Sequence, residues 1–495
     1  MNEEHESEYG KHRFWEMFPG ILVWTTLISA IVFSFISPIW VIIFIIVFDL
    51  YWLFRVGYFV VYIVISWRQY RRTTKENWMI KLKQQENWER IHHLVILPTY
   101  KEGIEILRAT FRSLASTNFP NKRMIVVLAG EERDHEQFQK NAELIEQEFG
   151  SVFQRVIFTE HPKDLPNEIP GKGSNLNYTG HKVKEILESE FNIPVEDIVV
   201  SSFDVDTIAH EQYFAYLTYL YLTVPDPMNA SYQPVALLAN NIWTAPAPVR
   251  VASFGTTFWL LTELARPERL WTFSSHSMPW KMLIDVGFWQ KDIVSEDSRI
   301  FLQAFVKYHG NYRVVPMFLP VSMDTVTGGN YMSALGALYK QQRRWAWGVE
   351  HLPVMIDSFR KDKIMPAWKK RKYLWNHIEG MYTWSTAPLL IFILGWLPLY
   401  SARGQSDALV QSAPFTLEVL MQLATIGVFA SGILALTMLP PRPKTVKAST
   451  WVVMIFQWAL LPITFVIFGA FPAIDAQTRL MLGKYLGFNV TKKSR

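Results

Sequence analysis

Two carboxylates lie two positions apart in FDVDT, residues 203–207, and could hold a cation. The stretch follows an apolar run, so strand alternation predicts Asp204 and Asp206 on one side and Val205 on the other. Two negative charges that close together are costly unless a cation lies between them. Mg²⁺ or Mn²⁺, bound through these carboxylates and through substrate phosphates, would be such a cation. The alternative is a helix N-cap beside a surface aspartate.

An acidic pair and a lysine-containing loop offer proton transfer and phosphate binding. IVSEDSRIF, residues 293–301, has Glu296 and Asp297 immediately before a helical run. Such a pair could accept a proton from a substrate, or could simply cap the helix. GKGSNLN, residues 171–177, opens another helix, where Lys172 suits a phosphate and the helix N-terminus favours an anion. A plain turn with a helix cap is the alternative for this loop.

Two further stretches carry polar and aromatic groups. PTYKE, residues 98–102, ends a short β-rich run and offers Thr99, Tyr100 and Glu102. QQRRWAWG, residues 341–348, places two arginines beside two tryptophans just before the chain becomes apolar again. Arginine and tryptophan both favour the depth of a membrane interface, so an anchoring belt is one interpretation of this stretch. A binding surface is the other.

Strand-like and helical patterns alternate in the region that carries these stretches. Near-continuous apolar runs, typical of buried strands, occur at 92–100, 123–129, 155–160 and 197–207. Helical patterns occur at 104–117, at 133–149 and from about 174. This alternation predicts parallel βαβ units. Ligands of such open sheets bind beyond the carboxyl ends of the strands, which is where the polar stretches fall.

Long apolar stretches flank this region on both sides. One membrane span needs about 20 residues, and the sequence predicts five spans, at 18–36, 39–65, 378–400, 415–440 and 450–472. Pro462 interrupts the last one, so a re-entrant or in-plane segment is the alternative there. The basic flanks at 68–83 and 440–450 predict that the intervening region is cytoplasmic. The tail after the fifth span is also basic, which leaves its side of the membrane open.

Composition agrees with a protein that is part membrane and part soluble. Half of the residues are hydrophobic, yet 19% are charged. The chain has no cysteine, which excludes disulfides, thiolate zinc sites and cysteine nucleophiles. The net charge of +5 does not indicate a nucleic-acid partner and suits anionic membrane lipids.

The order of these motifs resembles that of membrane-bound family 2 glycosyltransferases, similar to cellulose, hyaluronan and poly-N-acetylglucosamine synthases. The most specific part is an E-D pair followed by Q-x-x-R-W, and the motifs extend over about residues 90–350. They appear here as Asp204-Val205-Asp206 for D-x-D, Glu296-Asp297 for E-D, Gln341, Arg344 and Trp345 for Q-x-x-R-W, Lys172, Asn175 and Asn177 for K-x-x-N-x-N, and Thr99, Tyr100 and Glu102 for the N-terminal nucleotide site.

The resemblance implies an α/β GT-A (Rossmann-like) glycosyltransferase domain inserted between α-helical transmembrane segments. The expected parts are a cytoplasmic N-terminal segment, two transmembrane helices, a cytoplasmic GT-A catalytic domain with interfacial helices, about three transmembrane helices and a basic tail, at 1–17, 18–66, 67–375, 376–472 and 473–495. Such a multi-pass protein would lie in the cell membrane, which is the inner membrane if the source is bacterial.

The resemblance also implies a role for each motif. Asp297 would be the general base for the acceptor hydroxyl, with Glu296 orienting the site or shifting its pKa. Asp206, assisted by Asp204, would hold Mg²⁺ or Mn²⁺ on a diphosphate. Trp345 would stack under the acceptor sugar, although helix packing is its alternative role. Contacts to the nucleotide and diphosphate would come from Thr99, Tyr100, Glu102, Lys172, Asn175, Gln341 and Arg344.

One departure from the family pattern concerns the second strand. An aspartate that helps to hold the nucleotide base is expected there, but the chain has Ala129 and Gly130. Either Glu131 or Glu132 replaces it, or the base contacts differ. The nucleotide is therefore open, with a UDP-sugar favoured.

Three functions are compatible with these features. The first is a processive, inverting polysaccharide synthase that exports its glycan through its own spans. The second is a non-processive transferase that loads a lipid or polyprenyl-phosphate acceptor. The third is a degenerate, non-catalytic domain on a membrane receptor or transporter, for which the missing aspartate is the only support.

Overall fold

An eight-stranded mixed sheet forms the centre of the computed structural model, which describes residues 3–487, with side chains from residue 10 onward. Its strands are β1 His92–Pro98, β2 Met124–Glu131, β3 Arg155–His161, β4 Ile198–Ser202, β5 Ile208–Ala209, β6 Ala230–Leu238, β7 His276–Pro279 and β8 Arg313–Met323. Their order in space is β3-β2-β1-β4-β7-β6-β8-β5.

The first half of the sheet is parallel, as the sequence predicts. β1 pairs in parallel with β2 and with β4, and β2 pairs in parallel with β3. Every residue of β2 is buried, as its continuous apolar run MIVVLAGE requires in a sheet covered on both faces. Parallel strands end at one edge, so the loops that follow them lie together.

The second half of the sheet is mixed, which the apolar runs do not predict. β7 is antiparallel to β4 and β6, β6 is parallel to β8, and β5 is antiparallel to β8. The pairing of β6 with β8 shifts register between Gln233 and Val235, where Pro234 has no N–H to donate. Beyond the shift, Leu238 pairs with Met323, so both strands end side by side.

Helices cover the sheet, and long apolar helices precede and follow it in the chain. Within the described residues they are α1 Glu3–Ile36, α2 Pro38–Thr73, α3 Trp78–Leu82, α4 Ile104–Ala115, α5 His135–Phe149, α6 Lys172–Glu190, α7 Tyr213–Thr223, α8 Ala247–Leu264, α9 Trp280–Val286, α10 Glu296–Lys307, α11 Tyr331–Ala346, α12 His351–Lys361, α13 Ala367–Phe392, α14 Leu397–Ser401, α15 Ala408–Met438, α16 Thr450–Phe456, α17 Leu461–Phe465 and α18 Phe471–Met481. Two predicted motifs thus open helices, because α6 begins at Lys172 and α10 begins at Glu296.

In the part of the chain that the structure describes, four helices are long and apolar enough to cross a membrane: Gly10–Ile36, α2, α15 and the composite helix Thr450–Met481. α13 and the segment around α14 form a fifth candidate, bent by 47° after Phe392. Just before Pro462 the α-helix is interrupted, as the sequence predicts, by the 3₁₀ turn Gln457–Leu460 between α16 and α17. Pro462 lies in the first turn of α17, where its missing N–H is tolerated, and the composite helix continues through it. The expected fold class, an α/β domain between helical membrane segments, is confirmed.

The N-terminal helix reaches the rest of the molecule before its apolar part begins. The sequence places the first span from residue 18, but α1 begins at Glu3. His12 Nδ1 lies 2.8 Å from Asp357 Oδ2 of α12, and Arg13 Nη1 donates to the carbonyl of Leu480 at 2.8 Å. The segment before the first span is therefore helical and contacts α12 and α18.

Candidate active site

Three of the predicted motifs meet around one ammonium group. Lys172 Nζ lies 2.8 Å from Asp204 Oδ1, 2.9 Å from Asp297 Oδ1 and 3.3 Å from Glu296 Oε1. The Lys172 side chain is only 10% exposed. The structure therefore brings the D-x-D motif, the E-D pair and the K-x-x-N-x-N lysine into one cluster, which we call the carboxylate cluster (Lys172, Asp204, Glu296 and Asp297).

Local packing explains how the helices α6 and α10 come so close. The residue after Lys172 is Gly173, and a Cβ atom added there would lie 3.0 Å from the carbonyl oxygen of Gln290 and 3.3 Å from Glu296 Cβ. A side chain at this position would push the two helices apart. Glycine thus lets the first turn of α6 approach the residues that lead into α10.

Charge and burial oppose each other in the carboxylate cluster. Burial alone would lower the pKa of Lys172, but Asp204, Asp297 and Glu296 raise that pKa well above its usual value. Burial raises the pKa of Glu296 to about 7, and the charge of Asp297 adds to the increase, whereas Lys172 and Arg344 oppose it. The site therefore holds one carboxyl group that takes up a proton readily near neutral pH.

The two aspartates of the D-x-D motif face different neighbours, so the expected strand alternation is wrong. β4 ends at Ser202, and the motif lies in the turn that follows. Asp204 Oδ2 accepts a hydrogen bond from Ser274 Oγ at 2.6 Å. Asp206 is fully buried, and its Oδ2 accepts a hydrogen bond from the backbone N–H of Asp324 at 2.9 Å.

Residues that the motifs do not include support this turn. Asn240 Nδ2 donates to the carbonyl of Asp206 at 3.2 Å and to Asp324 Oδ1 at 2.9 Å. Asp324 directly follows β8, Asn240 lies two residues after the end of β6, and Ser274 lies two residues before β7. The strand-end rule would find Asn240 and Asp324 in the sequence, but only once those two strands are recognised.

The predicted nucleotide end of the site is built from local hydrogen bonds. Glu102 Oε2 accepts from Thr99 Oγ1 at 2.9 Å and from the N–H of Tyr100 at 2.6 Å. The guanidinium of Arg133 lies 4.6 Å from the Tyr100 ring centroid, and Arg133 is paired with Glu131. These residues form a loop at the ends of β1 and β2, where a sheet of this kind binds its ligand.

Asn175 connects helix α6 to the end of strand β2. Its Nδ2 donates to the carbonyls of Ala129 at 2.9 Å and Gly130 at 3.2 Å, and the residue is 1% exposed. A Cβ atom added at Gly130 would lie 2.2 Å from the Phe138 ring. An aspartate at position 130 would therefore collide with Phe138 of helix α5, which explains why glycine is found there.

The Q-x-x-R-W helix, α11, borders the carboxylate cluster. Gln341, Arg344 and Trp345 are half-buried on it, and the Trp345 ring meets Phe273 edge-on at 5.8 Å. Arg344 is near enough to Glu296 to lower the pKa of that carboxyl group. The stretch is therefore part of the site on its Arg344 and Trp345 side.

The membrane-belt interpretation of QQRRWAWG fails for its second tryptophan. Trp347 is 1% exposed and donates from Nε1 to Glu350 Oε2 at 2.8 Å. Arg343 is paired with Asp475 of α18 at 2.8 Å. Both side chains thus contact protein and do not form a lipid-facing belt.

One family model matches the part of the chain from β4 to the C-terminal helices. The model described as glycosyl transferase family group 2 matches residues 199–471, which is more than half of the 495 residues. The chain belongs to this family. The matched part of this glycosyltransferase contains the D-x-D, E-D and Q-x-x-R-W motifs and most of its C-terminal helices, whereas β1 to β3 precede it.

Two solved glycosyltransferase structures are similar to this family member. The mannosyltransferase PcManGT from Pyrobaculum calidifontis, in complex with GDP-Man and Mn²⁺, is 14% identical over 76% of this chain and 99% of its own, with a TM-score of 0.42. Residues 1–349 of S. aureus TarS, in complex with UDP-GlcNAc, are 11% identical over 81% of this chain and 94% of their own, with a TM-score of 0.38. No curated protein sequence matches the chain. Neither structural likeness assigns a role to a residue of this glycosyltransferase.

Proposed function

We propose that this glycosyltransferase is a processive, inverting polysaccharide synthase that takes its sugar from a nucleotide-sugar donor, with a UDP-sugar favoured. The observation that carries the proposal is the carboxylate cluster, in which Asp297 lies 2.9 Å from Lys172 and Glu296 senses the charge of Arg344 on the Q-x-x-R-W helix. Apolar helices flank this site on both sides in the chain and offer a route for a growing glycan.

Asp297 is the general base of the proposed reaction. Its carboxylate takes the proton of the acceptor hydroxyl as that oxygen forms a bond to the anomeric carbon of the donor. The bond between the anomeric carbon and the diphosphate oxygen breaks, and the nucleoside diphosphate leaves with the electron pair. A single displacement of this kind inverts the anomeric carbon. Glu296, buried beside Asp297, sets the charge around it.

Positive groups lie where the leaving diphosphate would develop charge. Lys172 is held by three carboxylates, and Arg344 approaches the same cluster from α11. A guanidinium presents a planar fork that suits phosphate oxygens. In the proposed reaction both groups stabilise the departing diphosphate, and the contacts of Lys172 to Asp204 and Asp297 must loosen when the donor binds.

A divalent cation, Mg²⁺ or Mn²⁺, suits the oxygen donors of Asp204 and Asp206. Among the side chains that the structure describes, residues 10–487, no group of three or more His, Asp or Glu forms a metal cage. Phosphate oxygens of the donor would therefore complete the coordination, as is usual for Mg²⁺. When bound, the cation acts as a Lewis acid toward the diphosphate.

The acceptor side is formed by Trp345 and its neighbour Phe273. The two rings meet at an edge, and Phe273 is followed by Ser274, which donates to Asp204 of the carboxylate cluster. An aromatic face packs well against the apolar face of a pyranose, so Trp345 is the proposed floor for the acceptor sugar. The α/β domain lies in the cytoplasm in this proposal, since the basic flanks at 68–83 and 440–450 border the apolar helices.

Purified membranes incubated with a panel of nucleotide sugars and Mg²⁺ or Mn²⁺ test this function. We expect one donor to be consumed and its sugar to appear in a long polymer. Label that partitions into organic solvent as a short glycolipid would favour transfer to a lipid or polyprenyl phosphate. Absence of both transfer and donor hydrolysis across the panel would contradict the enzymatic function altogether.

A further inference from the structure

One carboxylate outside the predicted motifs joins two parts of the site that are far apart in sequence. Glu350 Oε1 accepts a hydrogen bond from Ser295 Oγ at 2.7 Å, and Glu350 Oε2 accepts one from Trp347 Nε1 at 2.8 Å. Ser295 immediately precedes Glu296 and Asp297. Trp347 lies two residues after Trp345. Each oxygen of Glu350 thus holds one of the two segments that carry the reacting groups.

The side chain of Ser295 contacts Glu350, and more distantly His351 Nε2 at 3.5 Å, in place of its own helix. Ser295 is the N-cap residue of α10, yet its side chain makes no capping hydrogen bond to the helix. Serine at an N-cap usually satisfies one of the free backbone N–H groups of the first turn. Here the hydroxyl donates to Glu350, so the start of α10 is held by a tertiary contact and not by its own cap.

A second set of contacts runs beside the first. Ser298 Oγ lies 2.8 Å from His351 Nε2, and Arg299 Nη2 donates to the carbonyl of Glu350 at 3.5 Å. His351 is stacked on Trp271 at 5.8 Å, with 18° between the ring planes. Thr272, next to Trp271, donates from its hydroxyl to the carbonyl of Asp297. The first turn of α10 is therefore held from two sides.

Glu350 is in an environment that makes its two hydrogen bonds consequential. Burial raises the pKa of Glu350 to about 7, although the charge of Arg299 and the hydrogen bonds from Ser295 and Trp347 oppose this increase. A hydrogen bond in such buried surroundings is stronger than the same bond exposed to water. Loss of one of them would loosen the contact between α10 and the residues that follow α11.

We propose that Glu350 is a positioning residue that fixes the distance between the Glu296–Asp297 pair and the Q-x-x-R-W helix. The proposal rests on the proposed function, because the distance matters when a base on α10 must meet an acceptor stacked on Trp345. A water molecule that attacks the donor does not have to be held on Trp345. Glu350 thereby controls how the activated donor divides between the acceptor sugar and water.

The variant Glu350→Gln tests this role in the full-length protein in nanodiscs. Glutamine keeps the shape but offers only one acceptor oxygen for the two donors. We expect transfer to the acceptor to fall by about a hundredfold, as for other small misplacements of reacting groups, while hydrolysis of the donor by water changes little. Glu263→Gln is the matched control, since Glu263 is also a buried acid paired with arginines, and it lies outside the site. An equal loss of transfer and hydrolysis in Glu350→Gln would overturn the proposal.

A second set of variants separates positioning from a folding defect. Ser295→Ala and Trp347→Phe each remove one donor and leave the carboxylate in place. If Glu350 joins the segments, the effects of Ser295→Ala and Glu350→Gln on transfer will not multiply in the double variant. Effects that multiply independently would contradict the proposal.

A spectroscopic measurement keeps the test independent of turnover. In protein labelled with 5-fluorotryptophan, the ¹⁹F signal of Trp347 is identified by its loss in Trp347→Phe. We expect Ser295→Ala to shift this signal, because Glu350 contacts both residues, and Glu263→Gln to leave it in place. An unmoved ¹⁹F signal in Ser295→Ala would overturn the proposed role of Glu350, whether or not the protein transfers sugar. Absence of sugar transfer by the wild-type protein would refute the proposed function separately.

Discussion

The two ends of the candidate site are held together in different ways. At the carboxylate cluster, side chains from α6, α10 and the turn after β4 contact one another directly, and Lys172 joins three acids. At the nucleotide end, Glu102 contacts Thr99 and Tyr100, its neighbours in the loop. One end thus depends on distant segments meeting, and the other depends on a single loop keeping its shape.

This difference suggests different sensitivities at the two ends. Removal of one charge from a buried cluster leaves the others without compensation, so both stability and rate should respond strongly. Removal of one hydrogen bond from a local loop leaves the remaining bonds in place. The family match covers residues 199–471, which include Asp204, Glu296 and Asp297 but neither Lys172 nor the loop at 98–102.

The largest effect is expected for Asp297→Asn, which keeps the shape of the side chain and removes the proposed base. The transfer rate should fall by about 10²- to 10⁴-fold, the usual contribution of a general base. Binding of the nucleotide-sugar donor, measured by calorimetry, should remain. Asp197→Asn is the control, since Asp197 is a buried acid paired with Arg90 on the far side of β4. Transfer at the wild-type rate in Asp297→Asn would show that Asp297 is not the base.

Lys172→Met tests whether the cluster needs its cation. Three carboxylates would then face one another without the ammonium group, and we expect a loss of about 3–5 kcal/mol in the free energy of unfolding. The rate should fall by about a hundredfold or more because a preorganised charge at the leaving group is lost. Lys172→Arg, which keeps the charge, should recover much of the stability. A melting temperature of Lys172→Met equal to that of the wild type would contradict the central place of Lys172.

The pH dependence of stability offers a third test at the same end. Folding raises the pKa of Glu296 from 4.5 to about 7, chiefly through burial. The folded protein therefore binds a proton that the unfolded chain releases between these pH values, and this contribution to stability is lost as the pH rises from about 4.5 through about 7. Glutamine resembles the protonated acid, so the wild type should lose thermal stability relative to Glu296→Gln as the pH rises across this range. Parallel curves would mean that Glu296 is ionised throughout.

Which residues meet at the cluster could be predicted, but the direction each one faces could not. Lys172, Asp204 and Glu296 all follow apolar runs or open helices, and the strand-end rule places such residues at one edge of a parallel sheet. The orientation of Asp206 depends on β4 ending at Ser202, four residues before it, and an apolar pattern does not reveal that end.

The contacts in the mixed half of the sheet could not be predicted either, because they depend on which strands pair. Asn240 and Asp324 support the D-x-D turn because β6 and β8 pair in parallel across 84 residues, and local sequence does not encode that pairing. The role of Asn175 was also hidden. Its partners are backbone carbonyls at Ala129 and Gly130, which carry no signal in the side chains.

Asn175→Ala distinguishes a structural residue from a nucleotide contact. The variant removes two hydrogen bonds to buried carbonyls, although Ala129 still accepts one from the N–H of Thr99 at 2.8 Å. We expect the free energy of unfolding to fall by about 1–3 kcal/mol. The KM for the donor, measured on the folded fraction, should stay close to that of the wild type. A large increase in KM with unchanged stability would mean that Asn175 binds the nucleotide after all.

The smallest effect is expected for Thr99→Val at the nucleotide end. Valine fills nearly the same space, and Glu102 still accepts a hydrogen bond from the N–H of Tyr100, so the loop should keep its shape. Loss of one hydrogen bond of about 1 kcal/mol corresponds to about a fivefold rise in the KM for the donor, with kcat unchanged. Glu102→Gln keeps one acceptor oxygen and serves as the companion variant. If Thr99→Val lowered kcat as strongly as Lys172→Met does, a local bond at the nucleotide end would matter to the reaction as much as the carboxylate cluster does. The contrast between the two ends of the site would then not hold.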